Sequence, residues 1–529
     1  MRPFDAKRSS IDTQPEMAWI LKCLLVIFAL LAVSSANKSK FTSMANLEKL
    51  FYIETEIIAL ADVFLREEHF AHHGEDPHNL GGMREIVEKN KRLHGNISDM
   101  NEYLSHPINV FHLTRRLTRD WKGALQVIWK GEPCQKWDLP QLKARIRNIH
   151  YNIPTKEDLL RVALGIAHIQ FTENLKFDDI YSGLIRGRKS LQPVIIEDLI
   201  DFAWGSFNGG QYLFTANVVE RILEECKKTP ENTFCNSPKA FKLAATSYFE
   251  MNKVEKAVKM IDKVLAMNPE DAGAQRSRRF YTGRLRNKSV GKEVLFSARN
   301  VKYFETCSGK RKKSAAQMSR LHCALLPTRH FLVFEKAEYH HMDPPVVEFH
   351  STMKPNLLKV MMRIASKAYR EMSTSSRYSS PDFTFQPLPT YAYKQYESRF
   401  MHLKSPMIWP FEKGTVEIRQ ISLEGMYFRA QDKENLPNLG GHIGSFFTFL
   451  NDDYNGGEFV FPKYKLKITP NIGSTIFFFP MKSTLNICPV SYGVQWLAVQ
   501  SLYERKVKSR CRLYDNDLWD KNGKWKLAY

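Results

Sequence analysis

The side chains of this sequence that could do chemistry fall into two groups. In the C-terminal third, Asp432, His442, the adjacent Asp452 and Asp453, and the upstream His402 offer carboxylate and imidazole donors. Such nitrogen and oxygen sets suit a first-row divalent metal when three converge on one face. Their settings also favour plainer uses. His442 opens a strand-like run, and Asp452 and Asp453 sit just before Gly456-Gly457, where short acidic side chains build turns. The second group is the cysteines. Eight are present, and setting Cys23 aside with the N-terminal apolar stretch leaves seven: Cys134, Cys226, Cys235, Cys307, Cys323, Cys488 and Cys511. None has the C-x-x-C spacing of a zinc or redox motif, whereas the spacings 226/235 and 307/323 allow local bridges. Seven is odd, so one thiol stays free or pairs outside the chain.

Disulfides need an oxidising compartment, and the N-terminus predicts one. Residues 1–16 are polar and contain Arg2, Lys7 and Arg8; an apolar core runs from Leu24 to Val33; Ser34, Ser35 and Ala36 follow. A positive start, a short apolar core and a small-residue exit read as a secretory signal over residues 1–36. The core is shorter than the roughly 20 residues that a membrane span needs, so a luminal mature chain without a span is expected, the alternative being an uncleaved anchor over Ala18 to Ala36. Sequons at Asn37, Asn96 and Asn287 offer glycosylation sites on that route. The last residues, Lys526 to Tyr529, are not a retention signal of the K-D-E-L type.

Length and composition set further bounds. The chain of 529 residues is too long for one core, and with 43% hydrophobic and 12% aromatic residues it is not a disordered chain. Twenty-six glycines and 25 prolines without a G-X-Y period exclude a collagen-like fibre. The net charge of +21 invites a nucleic-acid reading, but the densest basic run, Lys310 to Lys313, is short and other basic residues are scattered among acids. A solvated basic surface, with no nucleic-acid partner, fits better.

Positioning falls to two kinds of element. From Leu47 to Leu65, apolar residues at 47, 50, 53, 57, 60, 61 and 64 have helical spacing, a stripe that could serve self-association or pack on its own domain. His106-Pro107 opens another amphipathic helix, and helix is expected to about residue 285. Within it, Phe241, Ala245, Tyr248, Ala257, Ile261 and Pro269 fall at the offsets of a tetratricopeptide helix pair, and Ile196 to Pro230 is a poorer copy. Two such pairs would make a groove that Phe207, Tyr212 and Phe249 could line for an extended proline-rich peptide, although aromatics are more often core. Residues 286–345 read as a junction. Beyond it, strand-like runs at Thr415–Ile421, Ser445–Leu450, Glu458–Phe461, Ser474–Phe479 and Trp496–Leu502 predict a β-sandwich or jelly roll.

This ordered set resembles the α subunit of animal collagen prolyl 4-hydroxylase, from the signal peptide to about Arg512. The motifs are His106-Pro107-x-Asn109-x-Phe111, Gly456-Gly457-Glu458-Phe459-Val460-Phe461-Pro462, Gly473-Ser474-Thr475-Ile476-Phe477, Cys488-Pro489-Val490 and Leu502-Tyr503-Glu504-Arg505. The resemblance implies a multidomain fold, α then β. Residues 37–135 would form a helical dimerisation-like region, 140–285 a tetratricopeptide-like peptide-substrate domain and 346–515 a double-stranded β-helix dioxygenase-like domain, with 516–529 a tail. It also implies disulfides Cys307–Cys323 and Cys488–Cys511, protein disulfide isomerase as a β-subunit partner in an oligomer, and the endoplasmic reticulum lumen as location.

Family chemistry uses Fe(II), 2-oxoglutarate and ascorbate, with iron held by two histidines and one carboxylate. Gly425-x-Tyr427-x-x-Ala430-x-Asp432 matches the motif G-x-Y-x-x-H-x-D, so Asp432 keeps the carboxylate while Ala430 replaces the first histidine. The second histidine, three residues before C-P-V, is Leu485, and the 2-oxoglutarate lysine, counted five residues before the arginine of L-H-E-R, is Gln500. Methyl and isobutyl groups offer iron no lone pair, and a glutamine supplies no charge to a carboxylate. The resemblance therefore implies a catalytically impaired or inactive relative that still binds proline-rich or collagen-like chains. An active procollagen-proline 4-dioxygenase and a luminal interaction protein using the barrel only as a scaffold are the alternatives.

Overall fold

The computed structural model describes residues 44–503, except 72–80, 131–144, 150–151, 229–237, 287–293, 295–300, 328–333, 375–385, 388–411, 422, 424–425, 429–441 and 481–482. The signal segment 1–36, Asn37, Cys134, Cys235, Asn287, His402, Ala430, Asp432, Cys511 and the tail 516–529 lie outside the described residues.

The N-terminal part is mainly helical, with a short antiparallel ribbon formed by Leu184–Ile185 and Arg188–Lys189. It comprises α1 (Met44–Ala71), α2 (Gly81–Gly95), α3 (Met100–Ser105), α4 (Pro107–Arg115), a π turn at Arg116–Asp120, α5 (Trp121–Lys130), α6 (Lys156–Thr172), α7 (Ile196–Asn208), α8 (Tyr212–Lys228), α9 (Pro238–Glu250), α10 (Val254–Met267), α11 (Ala272–Arg286) and α12 (Val301–Cys307). Local chemistry sets several starts. Thr155 caps α6, accepting from the Asp158 N–H at 3.2 Å while Asp158 accepts from the Thr155 N–H at 2.8 Å. His106 caps α4: burial pushes its pKa down to about 4, so the ring stays neutral and Nδ1 accepts from the Ile108 N–H at 3.3 Å.

The apolar stripe of α1 is spent within its own chain. Leu47, Leu50, Ile53, Ile57, Leu60, Ala61 and Phe64 are all buried in a core shared with α4, α5, α6 and α7. That stripe also carries a buried carboxylate, Glu54. Arg116 grips it through Nε and Nη2, each at 2.7 Å, and Trp121 Nε1 and His94 Nε2 reach it at 2.9 Å. One anion thus ties α1 to α2, the π turn and α5. Further along, α6 and α7 approach so closely at Gly205 that a Cβ there would stand 2.5 Å from the Leu160 carbonyl oxygen. In the α9–α10 pair, Phe241, Ala245, Tyr248, Ala257 and Ile261 are all buried, the small residues at the helix contact.

The C-terminal part is antiparallel sheet. Its strands are β1 (Cys323–Pro327), β2 (Phe334–Met342), β3 (Pro345–Phe349), β4 (Gln386–Pro387), β5 (Glu412–Ile421), β6 (Met426–Phe428), β7 (His442–Phe449), β8 (Asn455–Gly456), β9 (Phe459–Phe461), β10 (Leu466–Ile468), β11 (Thr475–Phe478), β12 (Leu485–Ile487), β13 (Val490–Tyr492) and β14 (Gln495–Tyr503). Eight form a large sheet in the order β1-β2-β3-β11-β7-β14-β5-β4, four form a smaller sheet in the order β10-β9-β12-β6, and β8 pairs with β13. The runs expected from 415 onward are all present. Residues 286–345, expected to be a junction, instead contribute β1, β2 and the start of β3 to the large sheet, because β2 and β3 are two arms of one hairpin.

Period-two alternation gives the large sheet two faces. Val347, Phe349, Phe446, Phe477, Ala498 and Leu502 face the helix α13 (Pro355–Thr374), which sequence reading did not anticipate. Val346, Phe447, Phe449, Ile476, Phe478, Leu497 and Val499 face the smaller sheet.

The disulfide expectations need correction. Cys307 is bonded to Cys488, with Cα atoms 5.9 Å apart, and not to Cys323; Cys488 is therefore not paired with Cys511. The reason is packing. Helix α12 lies on the smaller sheet, where Tyr303, Phe304, Cys307, Val460 and Cys488 share one cluster, while Cys323 is a free, exposed thiol on an edge strand. Cys226 is disulfide-bonded.

The Glu54 cluster carries a prediction with a definite sign. Burial alone would raise the Glu54 carboxyl, but Arg116 and then His94 hold it down at about 2, from an ordinary 4.5. A depressed carboxyl stabilises the fold above its unfolded value and loses that contribution as pH falls through the folded one. Stability should therefore decline between about pH 4.5 and 2 in acid titrations followed by circular dichroism. Glu54→Gln should destabilise by roughly 3–5 kcal/mol in urea unfolding and flatten that acid limb, because Arg116 is left buried without its anion.

Candidate functional site

The inter-sheet space is where metal ligation would have to occur. Leu485 opens β12, a three-residue strand between β9 and β6, and is 0% exposed. Opposite it on β6 stands Phe428. Its cluster includes Phe447 and Phe449 from β7, Phe459 and Phe461 from β9, Ile476 and Phe478 from β11, and Val499 from β14. Ring centroids stand 4.9 Å apart for Phe449–Phe459, 5.4 Å for Phe447–Phe459 and 5.3 Å for Phe461–Phe478, spacings of ordinary edge-to-face aromatic packing. The side chain at 485 supplies no donor atom and is surrounded by hydrocarbon. The residues present do not fit a ferrous ion: in the expected set of Ala430, Asp432 and Leu485, only the carboxylate could bind one.

Gln500 is placed differently from expectation. Its cross-strand partners on β14 are Phe446 of β7 and Val416 of β5. Phe446, Ala498 and Leu502 pack toward α13, so alternation puts Gln500 on that face, the reverse of the one against which Leu485 packs. A side chain there cannot hold a carboxylate in the inter-sheet space, which corrects its assignment to the 2-oxoglutarate position. The buried amide on the inter-sheet face is Gln495, opposite Ile421. Its Nε2 donates to the Tyr454 hydroxyl and to the Gly457 carbonyl, both at 2.9 Å. Burial pushes the Tyr454 phenol well above its ordinary range. Counting from the Leu-Tyr-Glu-Arg motif missed Gln495. Alternation back from Val499 and Leu497 would have found it.

The Gly456-Gly457 hairpin is explained by the same contacts. Both glycines have positive φ, 86° and 70°, and a Cβ on Gly456 would lie 2.3 Å from the Pro489 carbonyl oxygen. Asp452 and Asp453 are exposed and belong to the preceding turn. Asn451 organises it, donating to the Val494 carbonyl at 2.8 Å and to Asp453, and accepting from the Trp496 N–H at 2.7 Å. His442 opens β7 opposite Tyr503.

In the helical part, Phe207 and Tyr212 flank the turn between α7 and α8, with ring centroids 6.3 Å apart. Phe249, at the end of α9, stacks on Tyr281 of α11 at 4.7 Å and meets Phe280 at 5.2 Å. Tyr212 and Phe249 pack against the same cluster, while Phe207 packs against the larger helical core. Phe280 is 59% exposed. It was missed because α11 lies outside the two helix pairs read from the sequence.

The chain thus has a mainly helical N-terminal part followed by antiparallel sheets with an apolar core between them. Residues 43–187 match the family model for the N-terminal region of the prolyl 4-hydroxylase alpha subunit. Prolyl 4-hydroxylase subunit alpha-1 of Bos taurus is 21% identical over 92% of this chain and 97% of its own length, and subunit alpha-1 of Caenorhabditis elegans is 20% identical over 93% and 94%. Among solved structures, a viral collagen prolyl hydroxylase from Paramecium bursaria Chlorella virus-1 covers 30% of this chain and 90% of its own at 18% identity, with a TM-score of 0.24. The chain is thus similar to prolyl 4-hydroxylase alpha subunits at about 20% identity over most of its length, and its N-terminal region matches their family model. Among the described residues, no helix is long and apolar enough to cross a membrane.

The inter-sheet packing makes a quantitative prediction. Phe459→Ala should cost about 3–5 kcal/mol, as expected for emptying an aromatic site in a packed core. Leu485→His should cost on the order of 1–3 kcal/mol, since the imidazole arrives among phenylalanines. Urea unfolding measures both costs. The Leu485→His protein should carry no more iron than wild type when its metal content is measured.

Proposed function

We propose that this protein is a catalytically silent α-subunit-like member of its family that works in the endoplasmic reticulum lumen as a binder of proline-rich or collagen-like chains. The observation that carries the reading is Leu485: the position assigned to a metal-binding histidine holds a fully buried isobutyl group in a phenylalanine-filled core. Ala430 supports it from the sequence, because two of three iron ligands are then hydrocarbon. Without iron, 2-oxoglutarate has no metal to chelate and ascorbate none to reduce.

Binding falls to the helical part. We assign 140–285 as a tetratricopeptide-like peptide domain, and half-buried Phe207, Tyr212 and Phe249, with exposed Phe280 beside Phe249, as its aromatic residues. A polyproline II segment presents flat pyrrolidine rings every three residues and has little conformational entropy left to lose, so aromatic rings suit it. The β domain, on this reading a jelly roll without its reaction, serves as the scaffold on which the helical part packs. Protein disulfide isomerase is the partner expected from the family.

Two measurements test the reading. Purified protein given Fe(II), ascorbate, 2-oxoglutarate and a (Pro-Pro-Gly) repeat peptide should turn over no more 2-oxoglutarate than a metal-free control; turnover above that control overturns the silent assignment. The same peptide should bind in a fluorescence titration, and Phe249→Ala or Phe280→Ala should weaken binding about tenfold, roughly 1.4 kcal/mol. Equal affinity in wild type and both variants would move the binding face elsewhere.

A further inference from the structure

The edge of the large sheet holds a cluster that the hydroxylase reading does not use. Glu338 of β2 and Glu348 of β3 are direct cross-strand partners, so two carboxylates face one another. Glu348 is 2% exposed. Like charges in that relation repel, and burial makes the repulsion worse. Two imidazoles stand between them. His340 Nε2 is 2.9 Å from Glu348 Oε2, with its Nδ1 3.6 Å from Glu338 Oε1; His350 Nε2 is 3.0 Å from Glu338 Oε2, with its Nδ1 3.6 Å from Glu348 Oε1. The Asn471 amide donates to Glu348 Oε1 at 3.1 Å, fixing that carboxylate from outside.

Two further features converge on this spot. The β2–β3 register shifts between Tyr339 and His341, so His340 is the extra residue of a β-bulge, a device that re-aims a side chain. On the other side of β2, Cys323 of β1 is the cross-strand partner of Glu338, which puts the free thiol in the same rung as both glutamates. Ala324 and Leu326 pack toward α13, so alternation turns Cys323 to the face that Glu338 uses.

We infer that Glu338, His340 and Glu348, completed by the Cys323 sulfur, form a binding site for a divalent cation of the zinc class. One donor atom from each of the first three already lies within 4.8 Å of the others. Tetrahedral coordination at bond lengths of about 2.0–2.3 Å requires separations of about 3.4 Å, a contraction of little more than 1 Å. The donor set of imidazole, carboxylates and thiolate is a zinc set, and its negative charge is what a divalent ion neutralises. His350 then acts on Glu338 from behind, as outer partners orient ligands. The ion clips together β1, β2 and β3 at the open end of the sheet. The site shares no residue with Ala430, Asp432 or Leu485, so it stands or falls apart from the hydroxylase reading.

The test uses the full-length protein stripped with a chelator and titrated with Co²⁺, then with Zn²⁺ in competition. One equivalent of Co²⁺ should bind with a sulfur-to-metal charge-transfer band, and Zn²⁺ should displace it and raise the thermal midpoint. Cys323→Ser should abolish the band, and Glu348→Gln and His340→Ala should each weaken binding at least tenfold. Glu338→Gln, at the half-exposed rim, provides a variant whose fold is least at risk, and circular dichroism verifies that all four are folded. Equal binding by wild type, His340→Ala and Glu338→Gln overturns the site. A Cys307–Cys323 bridge found by peptide mapping overturns the sulfur ligand.

Discussion

Hydrocarbon closes the space between the two sheets, and most of what can be said about this protein depends on that packing. Five phenylalanine rings from β7, β9 and β11 meet Leu485 and the inward residues of β14. That volume contributes to folding: each buried ring removes a large apolar area from water, at about 25 cal/mol per Å². Leu485 is part of this packing, so a polar side chain placed there would cost stability.

Polar groups near this core serve structure. Gln495 spends its amide on Tyr454 and Gly457, holding the glycine hairpin against β14. Asn451 closes the turn beside it. The helical part follows the same rule in a harsher form, since Glu54 is a full charge with almost no exposure. It is tolerated because Arg116, Trp121 and His94 between them satisfy both of its oxygens. Breaking any member leaves the others buried and unsatisfied, which makes such a centre a register pin for the helices that meet there.

Contacts also join the two parts. Leu423, just after β5, packs into the helical core beside Gly165 of α6, and Tyr303 of α12 donates its hydroxyl to the Ile487 carbonyl at 3.1 Å. The Cys307–Cys488 bond spans 181 residues of sequence and fastens the last helix to the smaller sheet. If the proposed binding face is used, such bracing would help it, because a rigid aromatic face loses less entropy on binding than a mobile one.

The sequence alone determined the kinds of element and their order. Helical spacing at 47–64, strand runs from 415 onward and the glycine pair at 456–457 are local patterns, and local patterns survive in one dimension. So did the hydrocarbon side chains at 430 and 485, which are a matter of residue type. Tertiary structure decided whatever depends on direction or on distant neighbours. Gln500 fell on the wrong face because a motif offset does not track which way a pleated strand points. Cys307 found Cys488 because α12 docks on the smaller sheet, a contact that spacing could not foresee. The Glu338–His340–Glu348 group exists only because a bulge and two cross-strand pairings bring three separate stretches of chain into one rung. Side-chain chemistry is written in the residues, but convergence comes from the folded backbone.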